Sequence, residues 1–415
     1  MNRREFLAAP LVLTACAGVP VQARRGPSGW AAAEGGLGIG AVPPENRFDI
    51  RSRADLDRAM AMGGVPKLLR VHGRIDLSGG RGAADFADRE FDFEAYLRAY
   101  APETWGRRAL TGPLEEARKR SAARQGAAVT LKVVPNTAIV GVTPDAGFTD
   151  GAIMLQDTRG VILSNLRFHG VRDHFPAWDP LDGARGEWNS EYDAVSLRRA
   201  SRIWVDHCDF ESVHPARERF FDRVFETNDG LLDITQASDL VTVSWCRFSR
   251  HDKTMLIGGS DRSVNDEGHL RVTLHHNLWT DCGERTPRVR FGKVHVASNL
   301  FVVTPGAHYG YSIGMGFKCR IVSEDNVWET GPEIDASRFV RPWGGTQLSD
   351  RGSLHNGKPV ALGAALQRAH PNLVLDERPS FDPPPIDDRR PATEVATQVR
   401  AGVGAGRQAI DDLVS

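Results

Sequence analysis

The feature that most constrains the fold is an internal repeat. Five segments share one pattern: "VILSNLRF" (161–168), "IWVDHCDF" (203–210), "VTVSWCRF" (241–248), "VTLHHNLW" (272–279) and "VHVASNLF" (294–301). A weaker sixth is "IVSEDNVW" (321–328). Each opens apolar–x–apolar, passes through polar residues to Asn or Cys, and closes near an aromatic residue. The copies start 22 to 42 residues apart, so each is one strand-bearing coil with loops of varying length. A single such coil cannot bury its apolar face, whereas stacked coils share a continuous core. The expectation is an all-β parallel solenoid, a β-helix, with a few short helices and long loops on one face.

Stacking places equivalent side chains about 4.8 Å apart. Asn165, Cys208, Cys246, Asn277, Asn299 and Asn326 read as one row, in which each Asn amide can bond the next. Cys208 and Cys246 would occupy adjacent rungs, at a separation compatible with either a disulfide or two stacked buried thiols. The pairing of Cys282 and Cys319 is left open by the pattern. Residues 85–125 interrupt the repeat with two helical stretches, "DFEAYLRAY" and "GPLEEARKRSAAR", the second with Gly112 as cap and Pro113 at its first position. The segment 376–415 is rich in proline and charge, and is expected to be largely irregular and to pack along the outside. "ATEVATQVRAG" within it is a candidate helix.

Residues 1–23 read as an export signal outside the folded domain, which is taken as 28–405. Arg3 and Arg4 precede an apolar stretch too short to span a bilayer, a pattern of twin-arginine type. "LTAC" ending at Cys16 reads as a lipidation site, which would make the protein a periplasmic or outer-membrane-anchored lipoprotein. Cleavage after Ala23 is the alternative, and a secreted protein is the other expected location. The formal net charge of −1 excludes a global field of the kind that binds nucleic acid or a membrane surface. No membrane span and no nucleic-acid partner are expected, and the chain is expected to be a monomer.

The longest inter-coil loops carry clustered acids and bases. "WNSEYDAVSL" contributes Asp193, "NDGLLDIT" contributes Asp229 and Asp233, "RHDKTMLIGGSD" contributes Lys253, and "ERTPRVRFG" contributes Arg285, Arg288 and Arg290. In a solenoid, corresponding points on consecutive coils form one strip, so these residues become neighbours. Three carboxylates on one surface repel one another without a cation, and Ca2+ takes hard oxygen ligands in an open shell. Taken singly, Asp229 also suits an Asp-Gly turn, and Lys253 could simply pair with the adjacent Asp252. His251 is expected to hold a structural hydrogen bond.

With these motifs in order, the chain resembles the pectate lyases of polysaccharide lyase family one. "FPAWDPLDGARGEWNSEYDAVSL", "WVDHC", "DGLLDIT", "HDKTMLIGGSD", "LRVTLHHNLW" and "RTPRVRFGKVHVASNLF" carry the resemblance, which covers residues 28 to 405. It implies a right-handed parallel β-helix and Ca2+-dependent β-elimination of polygalacturonate. By position it makes Asp193, Asp229 and Asp233 calcium ligands, Lys253 and Arg290 holders of the uronate carboxylate, and Arg285 the base. Arg288 would contact substrate or pair with a nearby acid. Two positions depart from the family pattern. Asn228 stands where His is frequent, and Glu284 stands where an uncharged residue is common. A carboxylate at 284 would pair with Arg285 and favour its protonated form. The alternatives are a pectin lyase acting on methylated substrate without calcium and a non-catalytic β-helix that binds acidic glycan.

Overall fold

The computed structural model describes residues 26–212 and 218–407. The segment expected to be an export signal, including Arg3, Arg4 and Cys16, lies outside the described residues. Three parallel sheets wind around one axis as a right-handed β-helix. The first sheet has ten strands from Arg47–Ile50 to Leu348–Arg351 and contains the opening half of every repeat copy. The second also has ten, from Arg74–Asp76 to Lys358–Pro359, parallel except for the terminal pair. The third has eight, from Thr130–Lys132 to Val340–Trp343. One coil therefore runs Ser201–Asp206, Asp209–Glu211, Leu232–Thr235, then enters the next coil at Asp239–Ser244.

The repeat encodes this directly. Val161, Ile203, Val241, Val272, Val294 and Ile321 are aligned from coil to coil and fully buried. The closing aromatics stack as a column: Phe168–Phe210 and Phe210–Phe248 have centroids 4.8 Å apart, Phe248–Trp279 4.2 Å, and Phe301–Trp328 4.7 Å. Such offset, near-parallel rings add to the apolar burial that stabilises the solenoid.

The amide row exists, with one correction. Asn277 donates from N and Nδ2 to Asn299 Oδ1 at 2.9 and 3.0 Å, and Asn299 donates from N and Nδ2 to Asn326 Oδ1 at 3.0 and 3.1 Å. Above them the Cys246 amide donates to Asn277 Oδ1. Asn165 is not in this row. Ser164 pairs with Asp206 and Arg167 with Asp209, so Leu166 lies over Cys208 and Asn165 lies over His207. Asn165 takes the left-handed turn position (φ 55°) held in later coils by His207, Trp245, His276, Ser298 and Asp325, a conformation Asn tolerates well. All four described cysteines are free and buried; the Cys208 amide donates to Cys246 Sγ at 3.4 Å, which selects stacked thiols over a disulfide.

Two of the three sheets are covered. Residues near Ala31 lie on the first sheet, where the Trp30 and Ala31 amides donate to Thr273 Oγ1 and Thr242 Oγ1, both at 3.0 Å. The helix Ala392–Gly402 lies on the second, burying Val395 and Val399 against Leu300 and Val327. The tail is thus less irregular than its composition suggests. The helical insertion comprises Ala83–Phe86, Phe93–Ala99, Pro102–Trp105 and Pro113–Val129, extending past residue 125 because "QGAAV" continues the last helix into the first strand of the third sheet. Its aromatic residues pack with Trp178, Trp188 and Phe225 in a lobe beside that sheet. Much of the outer surface of the third sheet therefore stays open, flanked by a lobe.

Candidate active site

The strip expected from the sequence lies on the third sheet and its loops. Asp193 precedes the strand Val195–Arg198, Asp233 is the second residue of Leu232–Thr235, and Asp229 ends the loop before it. Asp193 Oδ1 accepts the Gly230 amide at 2.9 Å and Oδ2 accepts the Ser196 hydroxyl at 2.6 Å. Asp233 Oδ1 accepts the Leu256 amide at 2.9 Å. The two carboxylates meet over Gly230: a Cβ at that residue would lie 2.8 Å from both Asp193 Oδ1 and Asp233 Oδ1. Burial, followed by the Asp229 charge, raises the Asp193 carboxyl to about 6. Burial, then the Asp193 and Asp229 charges, raises Asp233 as well. His251 Nε2 bonds the Asp229 carbonyl at 2.5 Å, the structural bond expected of it.

Among the described residues no three His, Cys, Asp or Glu side chains already close around a point as a metal cage. The donors nevertheless fit a hard cation. Buried carboxylate oxygens share a side-chain-free cradle above a glycine, and the charge of Asp229 raises both of its partners. Ca2+ accepts such an open set when water or a ligand carboxylate completes it.

The basic residues surround this cluster, and each of three carries its own acid. Lys253 Nζ bonds Glu226 Oε2 at 2.6 Å, not the neighbouring Asp252. Arg290 Nε bonds Asp261 Oδ1 at 2.7 Å, and its Nη1 donates to the Gly258 and Gly259 carbonyls. Arg285 Nε bonds Glu284 Oε1 at 3.2 Å. Burial works to lower the Arg285 pKa, but the charges of Glu284 and Asp233 outweigh it and the pKa is raised. Arg285 has φ 60°, and its carbonyl accepts the Met255 amide, so the backbone holds it at the edge of the sheet. Arg288 differs from the other three. Its guanidinium lies 4.6 Å from the Trp343 ring centroid, its buried Nε has no hydrogen-bond partner, and burial followed by the Arg290 charge lowers its pKa.

Lys253, Glu226 and Arg285 line an open cavity of about 450 Å3 together with Asp182, Glu187, Asn189, Arg219, Arg223 and Val224. Glu226 and the arginines of the hairpin Arg219–Val224 were not singled out in the sequence reading. The available signal was an acid three residues before Asp229, in a loop already known to face the strip.

A parallel β-helix whose open sheet carries an acid cradle ringed by cations defines a class: a protein that handles a polyanionic chain along its surface. The comparisons refine this. Residues 110–370 match the family model for pectate lyase. A Bacillus subtilis pectate lyase is 34% identical over 355 residues, covering 81% of this chain and 83% of its own. Pectate lyase E of Dickeya dadantii is 33% identical over 351 residues, covering 81% and 77%. Among solved structures, the thermostable pectate lyase PL 47 superposes with a TM-score of 0.89 at 36% identity, over 92% of this chain and 97% of that one. A pectate lyase bound to a hexasaccharide superposes with a TM-score of 0.86 at 32% identity, over 92% and 97%. The chain belongs to the pectate lyase family, and it is a polysaccharide lyase.

Proposed function

We propose that the chain cleaves α-1,4-polygalacturonate by calcium-dependent β-elimination, releasing 4,5-unsaturated oligogalacturonides. The observation that carries this reading is the meeting of Asp193 Oδ1 and Asp233 Oδ1 over Gly230, with Arg285 near enough to feel the Asp233 charge. Asp193, Asp229 and Asp233 would hold the Ca2+. When bound, the ion draws charge from a uronate carboxylate and so makes the adjacent C5 proton more acidic.

The chain's own residues do the rest. Lys253 exchanges Glu226, and Arg290 exchanges Asp261, for the uronate carboxylate, and both stabilise the charge that grows as C5 is deprotonated. Arg290 keeps its bonds to the Gly258 and Gly259 carbonyls, which orient the guanidinium. Arg288 adds a cation to which, among the described residues, no acid is bonded. Arg285, having lost its own proton to solvent, accepts the C5 proton. The C5–H electron pair forms the C4–C5 double bond, the C4–O bond breaks, and the leaving oxygen takes a proton from water. Because Glu284 favours the protonated Arg285, this step is expected to need alkaline conditions.

The test is incubation with polygalacturonate, and separately with methylated pectin, each with Ca2+ or a chelator, followed by ultraviolet absorbance of the unsaturated product. A signal on polygalacturonate that the chelator abolishes supports the proposal. Turnover that persists with chelator, or only on methylated pectin, rejects it. Export through the leader at 1–23 and acylation at Cys16 belong to the same proposal. Among the described residues no helix is long and apolar enough to cross a membrane; the acyl group on Cys16 is the attachment in this proposal. The intact mass tests this: a mature chain starting at Cys16 with acyl mass supports lipidation, and one starting at Arg24 rejects it.

A further inference from the structure

The third sheet carries an outward row that continues beyond the acid cradle. Its rungs run Ser196, Asp233, Leu256, Arg288, Gly314 and Arg341. Arg341 is exposed, four rungs or about 19 Å from Asp233 at the usual strand spacing. Its guanidinium lies 4.6 Å from the Trp343 ring centroid, and so does that of Arg288. Gly314 stands between the two arginines in the row. A Cβ there would come within 2.9 Å of Arg288 Cγ, so glycine keeps the space between them open.

Lys253, Arg285 and Arg290 each have an acid of the chain. Among the described residues, Arg288 and Arg341 have none, and Arg288 Nε is buried without a hydrogen-bond partner. Two cations held on one indole, neither bonded to an acid, repel each other, and an anion between them relieves that repulsion. A guanidinium stacked on an aromatic ring keeps its in-plane N–H groups free for a carboxylate fork.

We propose that Arg288, Trp343 and Arg341 form a distal subsite that receives the carboxylate of a uronate several sugars away from the cleavage point. This rests on the reading of the substrate as an acidic glycan, but not on turnover. The guanidiniums grip the carboxylate, and the exposed part of the half-buried indole offers an apolar surface to the sugar ring. A short oligomer held at the acid cradle cannot reach Arg341, so the subsite selects for chain length.

The test is calorimetric binding of tri- and hexagalacturonate to the full chain in the presence of Ca2+, with the Arg285→Lys substitution as background so that neither ligand is consumed. Hexagalacturonate is expected to bind about tenfold more tightly than the trimer, a difference of about 1.4 kcal/mol. Arg341→Gln should remove most of that advantage, and Trp343→Ala part of it. Arg320→Gln, an exposed arginine on the first sheet, should keep the advantage and so controls for net charge. An undiminished advantage in a folded Arg341→Gln chain overturns the subsite, as does equal binding of the two oligomers by the background protein. If wild-type enzyme binds hexagalacturonate without producing ultraviolet-absorbing product, the catalytic proposal fails while the binding ratios still decide the subsite.

Discussion

Arg285 Nε and Glu284 Oε1 lie 3.2 Å apart, joining the proposed base to the adjacent carboxylate. The pair is partly buried, with side chains 20% and 26% exposed, so water screens it incompletely. It favours the protonated Arg285 and so lowers the fraction of free guanidine available to accept a proton.

Glu284→Gln removes the largest influence that raises the Arg285 pKa. The competent form is the deprotonated guanidine, so a lower pKa enlarges its fraction at any pH below that pKa. The rising limb of the pH–rate profile should move to lower pH, and the rate at a fixed moderately alkaline pH should rise severalfold. A profile that stays in place, measured by absorbance of the unsaturated product, would separate Glu284 from control of the base.

Gly230→Ala fills the cradle shared by Asp193 and Asp233, since the new Cβ would stand 2.8 Å from an oxygen of each. Displacing two ligands by a few tenths of an ångström should weaken Ca2+ binding by about 10- to 100-fold, the scale seen when supporting groups of metal sites are altered. Titrating lyase activity against free Ca2+ should show a rightward shift with recovery at high concentration. A calcium response equal to wild type would rule out the cradle as the ion's position.

Asn299→Leu breaks the amide row at its centre. Asn299 receives both bonds from Asn277 and donates to Leu274 O and to Asn326 Oδ1, all in a fully buried setting. The substitution strands several buried donors and acceptors, at about 1–3 kcal/mol each before relaxation. Unfolding by denaturant should show a loss of several kcal/mol, with the largest effect in the central coils by hydrogen exchange.

Asp350 provides a pH test far from the cleft. Burial raises its carboxyl to about 6, even though Ser323 and Ser353 donate to it at 2.6 and 2.7 Å. A raised carboxyl pKa means that the folded state binds more protons than the unfolded one between about 4 and 6. Stability associated with this group is therefore present at low pH and lost as pH rises through 6. Asp350→Asn keeps an acceptor for both serines and cannot ionise, so its melting temperature should exceed that of wild type at pH 8, by up to about 3 kcal/mol in stability. The gap should close toward pH 4. A constant gap would assign the effect to packing.

The sequence alone determined the coil. Its apolar alternation, closing aromatics and spaced Asn residues are local patterns that stacking repeats without further information, and the motifs around Asp193, Asp229, Asp233, Lys253, Arg285 and Arg290 single out the strip proposed to carry the chemistry. Tertiary structure decided how side chains pair across coils. Loop lengths and strand register set those pairings, and neither can be read from a linear pattern. Register moved Asn165 out of the amide row by a single residue and put Leu166 in its place. Loop paths brought Glu226 to Lys253 across 27 positions, although Asp252 was adjacent in the chain. The strand Val340–Trp343 brought Trp343 and Arg341 to Arg288, an arginine for which the sequence left substrate contact and an acid partner both open. A parallel solenoid converts sequence distance into a fixed spacing between coils, so it makes neighbours of residues whose relation the chain order does not express.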